Sequence, residues 1–257
     1  MDTEKGSKIN QLLQSQPKGI VFLASWLTTK GYSPDLQKRY RKSKWLVSIG
    51  TGAMIRTGDE VNYEGALCSL QQQDDSSIHP GGKTALYLLG KSHYLEFSTK
   101  RITLFRGKGE NLHAWFKNYD WGVEFNHYQS GFLPKDIGLT QIERKSFSLK
   151  ISNAARALME CLYLVPKYQD LNECYELMEG LNNLRPKEVQ KLLEACSSVK
   201  VKRLFLFLAD KAEHAWLEHI DLDQIDLGKG KRSIITGGVY IPKYQITVNK
   251  ELGLNDE

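Results

Sequence analysis

With 257 residues, 41% hydrophobic and 25% charged, the chain has room for two domains with buried cores and an ordinary globular composition. No run approaches the ~18–20 apolar residues of a membrane span, and the polar start MDTEKGSKINQ reads as no signal peptide. Net charge is only +5, but residues 1–60 carry ten Lys or Arg against five Asp or Glu, while the rest carries 25 of each sign. The whole excess sits in the N-terminal quarter, as in a module that contacts phosphates.

Ile9, Leu12 and Leu13 mark one face of a short first helix that stops near Pro17. Ile20, Val21, Leu23, Ala24 and Leu27 recur at i, i+3, i+4 spacing and predict a second helix, closed at Lys30 with Gly31 just beyond. A third helix follows over about 34–43. Ser33 suits its N-cap, Pro34 its first turn, and Asp35 its positive end. Two capped helices joined this tightly are the local pattern of a helix-turn-helix. On the third helix Leu36 and Tyr40 define the buried side, while Lys38, Arg41 and Lys42 point away and Gln37 and Arg39 flank them. Five basic residues among 38–44 meet no acid, whereas a merely solvated helix mixes signs. Such a face can lie in the major groove of duplex DNA. Residues 45–49 and 53–56 then predict two short strands around Gly50-Thr51-Gly52, a hairpin placed where a wing belongs, with Thr51 at its tip and Arg56 at its base.

Beyond Asp59 helices are expected over 61–70, 84–89, 154–164, 171–181, 186–196 and 199–211. Strands are expected over 101–105, 122–128, 147–151, 233–236 and 244–248. They do not alternate, so the fold class is α+β: a winged helix-turn-helix over 1–58 and a larger mixed domain over 59–257. The apolar run 204–209 is expected to be the central helix of the second core. Its start, Lys200-Val201-Lys202-Arg203, either makes a second anionic contact or pairs with Glu194. The four cysteines, Cys68, Cys161, Cys174 and Cys196, lack C-x-x-C spacing, and reduced, buried thiols in a cytoplasmic protein are expected.

No catalytic constellation emerges. Gly82-Lys83-Thr84 looks like the end of a phosphate loop, but Ser77 stands where the motif needs glycine, so Gly82 reads as the residue before a helix. Gly228-Lys229-Gly230-Lys231-Arg232 reads as a joining turn, and Asp221, Asp223 and Asp226 as local charge pairing. His79, His93, His113, His127, His214 and His219 show no metal-ligand spacing. Neither a metal nor a cofactor is expected.

Several of these pieces, in order, resemble the AbiEi-type antitoxins of bacterial type IV toxin–antitoxin (abortive infection) systems. They are 31–36 with 39–43 and Trp45-Leu46; Gly81–Leu86 with Gly90 and His93-Tyr94; Ser152 with Arg156, Ala157 and Glu160; Leu184-Arg185-Pro186; and 199–206. The resemblance implies a repressor of its own operon whose winged helix-turn-helix binds operator repeats in its promoter. It implies a C-terminal domain that counters a cognate nucleotidyltransferase-like toxin without needing a stable complex, and it transfers no catalytic residue. Carried over by position, the operator-reading residues are Ser33, Lys38, Arg39, Arg41 and Lys42, with Lys44, Thr51 and Arg56 at the wing. The rival readings are an enzyme, such as a nuclease or nucleotide-dependent protein, targeted by the winged helix, and a transcription factor with a ligand-sensing C-terminal domain.

Overall fold

Ile9 and Leu12 form the buried side of α1 (Lys8–Ser15), as their spacing requires of an amphipathic helix. The computed structural model describes residues 8–91 and 101–253; His93 and Tyr94 lie outside them. After α1 come β1 (Phe22–Leu23), α2 (Ala24–Thr29), α3 (Pro34–Lys42), β2 (Leu46–Gly50) and β3 (Ala53–Arg56). The chain continues through α4 (Tyr63–Gln73), β4 (His79–Pro80), α5 (Gly82–Leu88), β5 (Arg101–Gly107), α6 (Ala114–Asn118), β6 (Glu124–Ser130), β7 (Leu139–Glu143) and β8 (Ser148–Ser152). It ends with α7 (Ala154–Leu164), α8 (Leu171–Glu179), α9 (Pro186–Ala195), α10 (Val199–Lys211), β9 (Arg232–Ser233), β10 (Val239–Ile241), β11 (Ile246–Val248) and α11 (Lys250–Gly253). Two units result, one of residues 1–79, 109–124 and 141–150, the other of 80–108, 125–140 and 151–257. The architecture is α+β, with small sheets and, among the described residues, no long alternating series.

In the first unit β3 lies between β1 and β2 and runs antiparallel to both, with Phe22 opposite Met54 and Val47 opposite Ile55. Three helices carrying this hairpin make a winged helix-turn-helix. The second helix is shorter than its apolar spacing suggests. Phe22 and Leu23 form the third strand of the wing sheet, and Ile20, Val21, Phe22 and Leu23 are all within 2% of full burial. A fully buried strand is apolar on both faces, so the i, i+3, i+4 test cannot separate it from a buried helix. The end of α2 is as expected. Gly31, at φ +83°, donates its N–H to the Thr28 carbonyl at 3.0 Å, and Tyr32 donates to Leu27 at 2.9 Å. This left-handed closure suits glycine and sets the turn into α3. The core of the module is Ile9, Leu12, Phe22, Leu27, Tyr40, Leu46 and Met54.

Helix α4 belongs to the same unit. Ser69 Oγ accepts the Val21 N–H at 2.8 Å, and Gln73 accepts from Leu23 N–H at 2.9 Å while donating to the Val21 carbonyl at 2.8 Å. The backbone of β1 is thereby satisfied on the side that β3 leaves open.

In the second unit α7 packs against α5, α8, α9 and α10. The apolar run of α10 is buried from Val201 to Ala209, which makes it a central helix, and α7 and α10 span the ranges read from sequence. The expected strand over 233–236 is only Arg232–Ser233, parallel to β11. All four cysteines are free and buried. Among the described residues no helix is long and apolar enough to cross a membrane.

Candidate nucleic-acid interface

Ser33 caps α3, its Oγ accepting the Leu36 N–H at 3.3 Å, and Asp35 sits in the first turn. The helix turns Tyr40 and Gln37 inward; Leu36 is only half-buried. Gln37, which spacing placed on the flank, is 4% exposed. Its Nε2 donates to the carbonyls of Ala24 and Tyr32, at 3.1 and 2.8 Å, and to Thr28 Oγ1 at 3.1 Å. One amide thus fixes the angle between α2 and α3. Burial raises the Tyr40 hydroxyl above its usual pKa, with neighbouring Tyr32 adding to the shift.

With Gln37 and Tyr40 committed to the interior, Lys38, Arg39, Arg41 and Lys42 all stand exposed. Lys44 follows in the left-handed region at φ +57°, its N–H on the Arg41 carbonyl at 3.1 Å, and it too is exposed. None of these five cations has a carboxylate within salt-bridge distance among the described residues. A hollow of about 320 Å³ opens between α2, α3 and the hairpin, lined by Ser25 and Thr28, by Arg41, and by Ser48, Gly50 and Gly52. Thr51 is exposed at the hairpin tip between those glycines. Basic side chains, hydroxyls and a bare glycine backbone are the donors that phosphate recognition uses.

Arg56 is placed differently. It is half-buried, and its Nη2 donates to the carbonyls of Leu13 and Gln16 at 2.8 and 3.2 Å, closing the end of α1. Spacing also gave no hint of Ser25, Thr28 and Ser48, hydroxyls without charge or motif. Trp45 and Val47, 46% and 44% exposed, stand on one face of the hairpin beside the basic helix. Met54 is buried in the core.

The features that hinted at other chemistry are internal to the second unit. The start of α5, where a phosphate loop would hold its anion, is filled by a side chain. Glu160 Oε2 accepts the Gly82 N–H at 2.9 Å and Ser152 Oγ at 2.7 Å, while Oε1 accepts Arg156 Nε at 2.9 Å. A Cβ on Gly81 would come within 2.3 Å of Glu160 Oε2, so the absence of a side chain at Gly81 makes room for this carboxylate, while Gly82 follows in the left-handed region at φ +52°. Lys200 and Arg203 are not a second anionic contact, nor do they pair with Glu194, which accepts from Gln190. Lys200 Nζ donates to the carbonyls of Tyr163 and Val165 at 2.8 and 2.6 Å. Arg203, 2% exposed, donates to the carbonyls of Leu227, Gly228, Gly230 and Gln245. Freeing such a buried cation for another partner would strand four acceptors and cost several kcal/mol. The glycine turn is therefore Arg203's receptor. Asp221 and Asp226 cap local turns, their Oδ1 atoms accepting the Asp223 and Gly228 N–H groups. His214 is a core histidine, bonded to the Met178 carbonyl at 2.7 Å. Among the described residues no group of three His, Cys, Asp or Glu side chains is placed to hold a metal.

Residues 5–97 match the family model of the N-terminal domain of AbiEi antitoxin transcriptional regulators. Residues 99–249 match the model described as transcriptional regulator, AbiEi antitoxin, type IV toxin–antitoxin system. No curated protein matches the chain. The fold is similar to the crystal structure of the RV2827C protein from Mycobacterium tuberculosis, with a TM-score of 0.53 and 14% identity over 93% of this chain and 89% of that one.

Proposed function

The chain belongs to the AbiEi antitoxin family, transcriptional regulators of type IV toxin–antitoxin systems, and from that premise we propose a non-enzymatic, cytoplasmic autorepressor and antitoxin. Residues 1–58 read repeats in the protein's own promoter, and residues 59–257 counter a cognate nucleotidyltransferase-like toxin. The observation that carries the DNA-binding half is the row of five exposed cations on and just after α3, none with a carboxylate in reach among the described residues, beside the donor-lined hollow. Lys38, Arg39, Arg41 and Lys42 enter or flank the major groove with Ser33 at its edge, Lys44 and Thr51 reach the adjoining backbone, and Arg56 holds α1 behind them. Ser25, Thr28 and Ser48 add phosphate donors.

The test keeps the chain whole, because α4 supplies the hydrogen bonds of β1 and a cut at 58 would orphan them. Lys38→Ala with Arg41→Ala and Lys42→Ala should abolish repression of the native promoter. The same variant should still protect cells that express the cognate toxin. Retained repression would remove α3 from the interface; loss of protection with repression would join the two roles in one surface.

A further inference from the structure

We propose that the cleft between the first turns of α7 and α9 is a binding site for a nucleoside phosphate. It encloses about 530 Å³, within the range of small-molecule sites, and all its lining residues belong to the second unit. Its lining is of two kinds: Ile137, Leu139, Leu184 and Val189 supply an apolar wall, and interleaved with it Lys91, Arg185 and Lys191 bring three cations to the same space from two separate segments.

Among the described residues Glu188 is the one carboxylate of the lining, and it is already engaged by Arg185 Nη1 at 3.0 Å and Asn153 Nδ2 at 3.4 Å. Lys91 meets only the Asn183 carboxamide, at 3.2 Å, and Lys191 meets no hydrogen-bond or ion-pair partner among the described residues. The contrast with the rest of the unit is informative. Arg156, Lys200 and Arg203 each spend their charge on protein carbonyls, and Arg156 also on Glu160. In the cleft Arg185 is shared with Glu188 and Lys91 meets one neutral carboxamide, and among the described residues Lys191 is left over. Asn153 caps Arg156 N–H with its side chain, and the amides of Ala154 and Ala155, also in the lining, lie in the first turn where the helix supplies no acceptor. A ligand with several anionic oxygens would take the cations and these amides, and a base would cover the apolar wall. A bare inorganic anion would leave that wall wet.

Calorimetric titration of the full-length chain at physiological salt, without DNA, tests this with ATP, GTP and tripolyphosphate. Both nucleotides should bind, and tripolyphosphate should bind about tenfold more weakly because it forgoes the apolar wall. Lys91→Ala with Lys191→Ala should weaken ATP at least about tenfold, since two charge-assisted contacts are lost. Lys191→Glu, a reversal at an exposed position, should weaken it as well and guards against a misfolded double variant. Lys38→Ala with Arg41→Ala should leave the titration unchanged, which separates this site from the DNA-binding helix. Absence of nucleotide binding would overturn the proposal. So would loss of binding in the α3 variant alone, or tripolyphosphate binding as tightly as ATP.

Discussion

Arg156 Nε lies 2.9 Å from Glu160 Oε1, one helical turn away on α7, and their side chains are 5% and 0% exposed. The pair gathers three stretches of sequence, since Glu160 also accepts from Gly82 and Ser152 and Arg156 donates to the Pro134 and Ile137 carbonyls. Both Glu160 oxygens and the Arg156 Nε and Nη1 groups have protein partners, so the charge is tolerated in the interior. Glu160→Gln preserves shape and one acceptor oxygen but leaves Arg156 buried without its counter-charge. Breaking a buried pair from one side costs about 3–5 kcal/mol. A urea unfolding curve of the variant should show a loss of that order; a midpoint within error of the parent would mean the charge contributes nothing.

The buried thiols give a pH dependence with a definite sign. Burial pushes Cys68 from 9.0 up to about 11 and raises Cys161, Cys174 and Cys196 as well. A raised folded pKa favours the native state in full below the unfolded value of about 9, and that contribution is lost as pH rises through the folded value. Stability should therefore fall from about pH 9 upward. At pH 8 the native chain should resist alkylation at all four cysteines, because the reactive thiolate is both scarce and covered. Mass spectrometry after iodoacetamide, with and without urea, reads this directly. Rapid labelling of the native protein would contradict the burial.

Local signals were enough for some of this architecture and could not reach the rest. Ser33, Pro34, Asp35 and Gly31 act within a few residues of themselves, so the start of α3 and the end of α2 were legible. The limits of α7 and α10 were legible for a related reason, with Asn153 and Ser198 as side-chain N-caps. What failed depends on distant partners. Phe22 and Leu23 are strand only because Met54 and Ala53 pair with them. Arg203 is interior only because carbonyls 24 to 27 residues downstream turn toward it. At the interface, charge betrayed the cations of α3. Nothing local could reveal that Ser25, Thr28 and Ser48 share a hollow with Arg41, or that Arg56 bends back onto α1.

Lys44 holds a backbone conformation that favours glycine, φ +57°, at the close of α3. Left-handed backbone costs a side-chain-bearing residue about 1–2 kcal/mol, against about 0.5–1 kcal/mol of extra chain entropy if glycine replaces it. Lys44→Gly should thus be more stable by up to about 1 kcal/mol in thermal or urea unfolding. The same change removes one exposed cation and should weaken promoter DNA. Stability and affinity moving in opposite directions would mark Lys44 as kept for contact; lower stability would show that its side chain has a packing role.

The exposed and internal cations should separate cleanly in a salt titration. Each phosphate neutralised by a protein cation releases counterions, giving a slope of about −0.9 per contact in log affinity against log salt. Lys38→Ala with Arg41→Ala should make the slope shallower by about 1.8 and weaken promoter binding at every salt concentration. Lys200→Ala removes a positive charge from the same chain, but that ammonium is held by the Tyr163 and Val165 carbonyls at the end of α7. Its slope should match the parent's, and its deficit should appear in thermal unfolding. If both variants shifted the slope alike, the salt dependence would report net charge alone, and α3 would lose its claim to the phosphates.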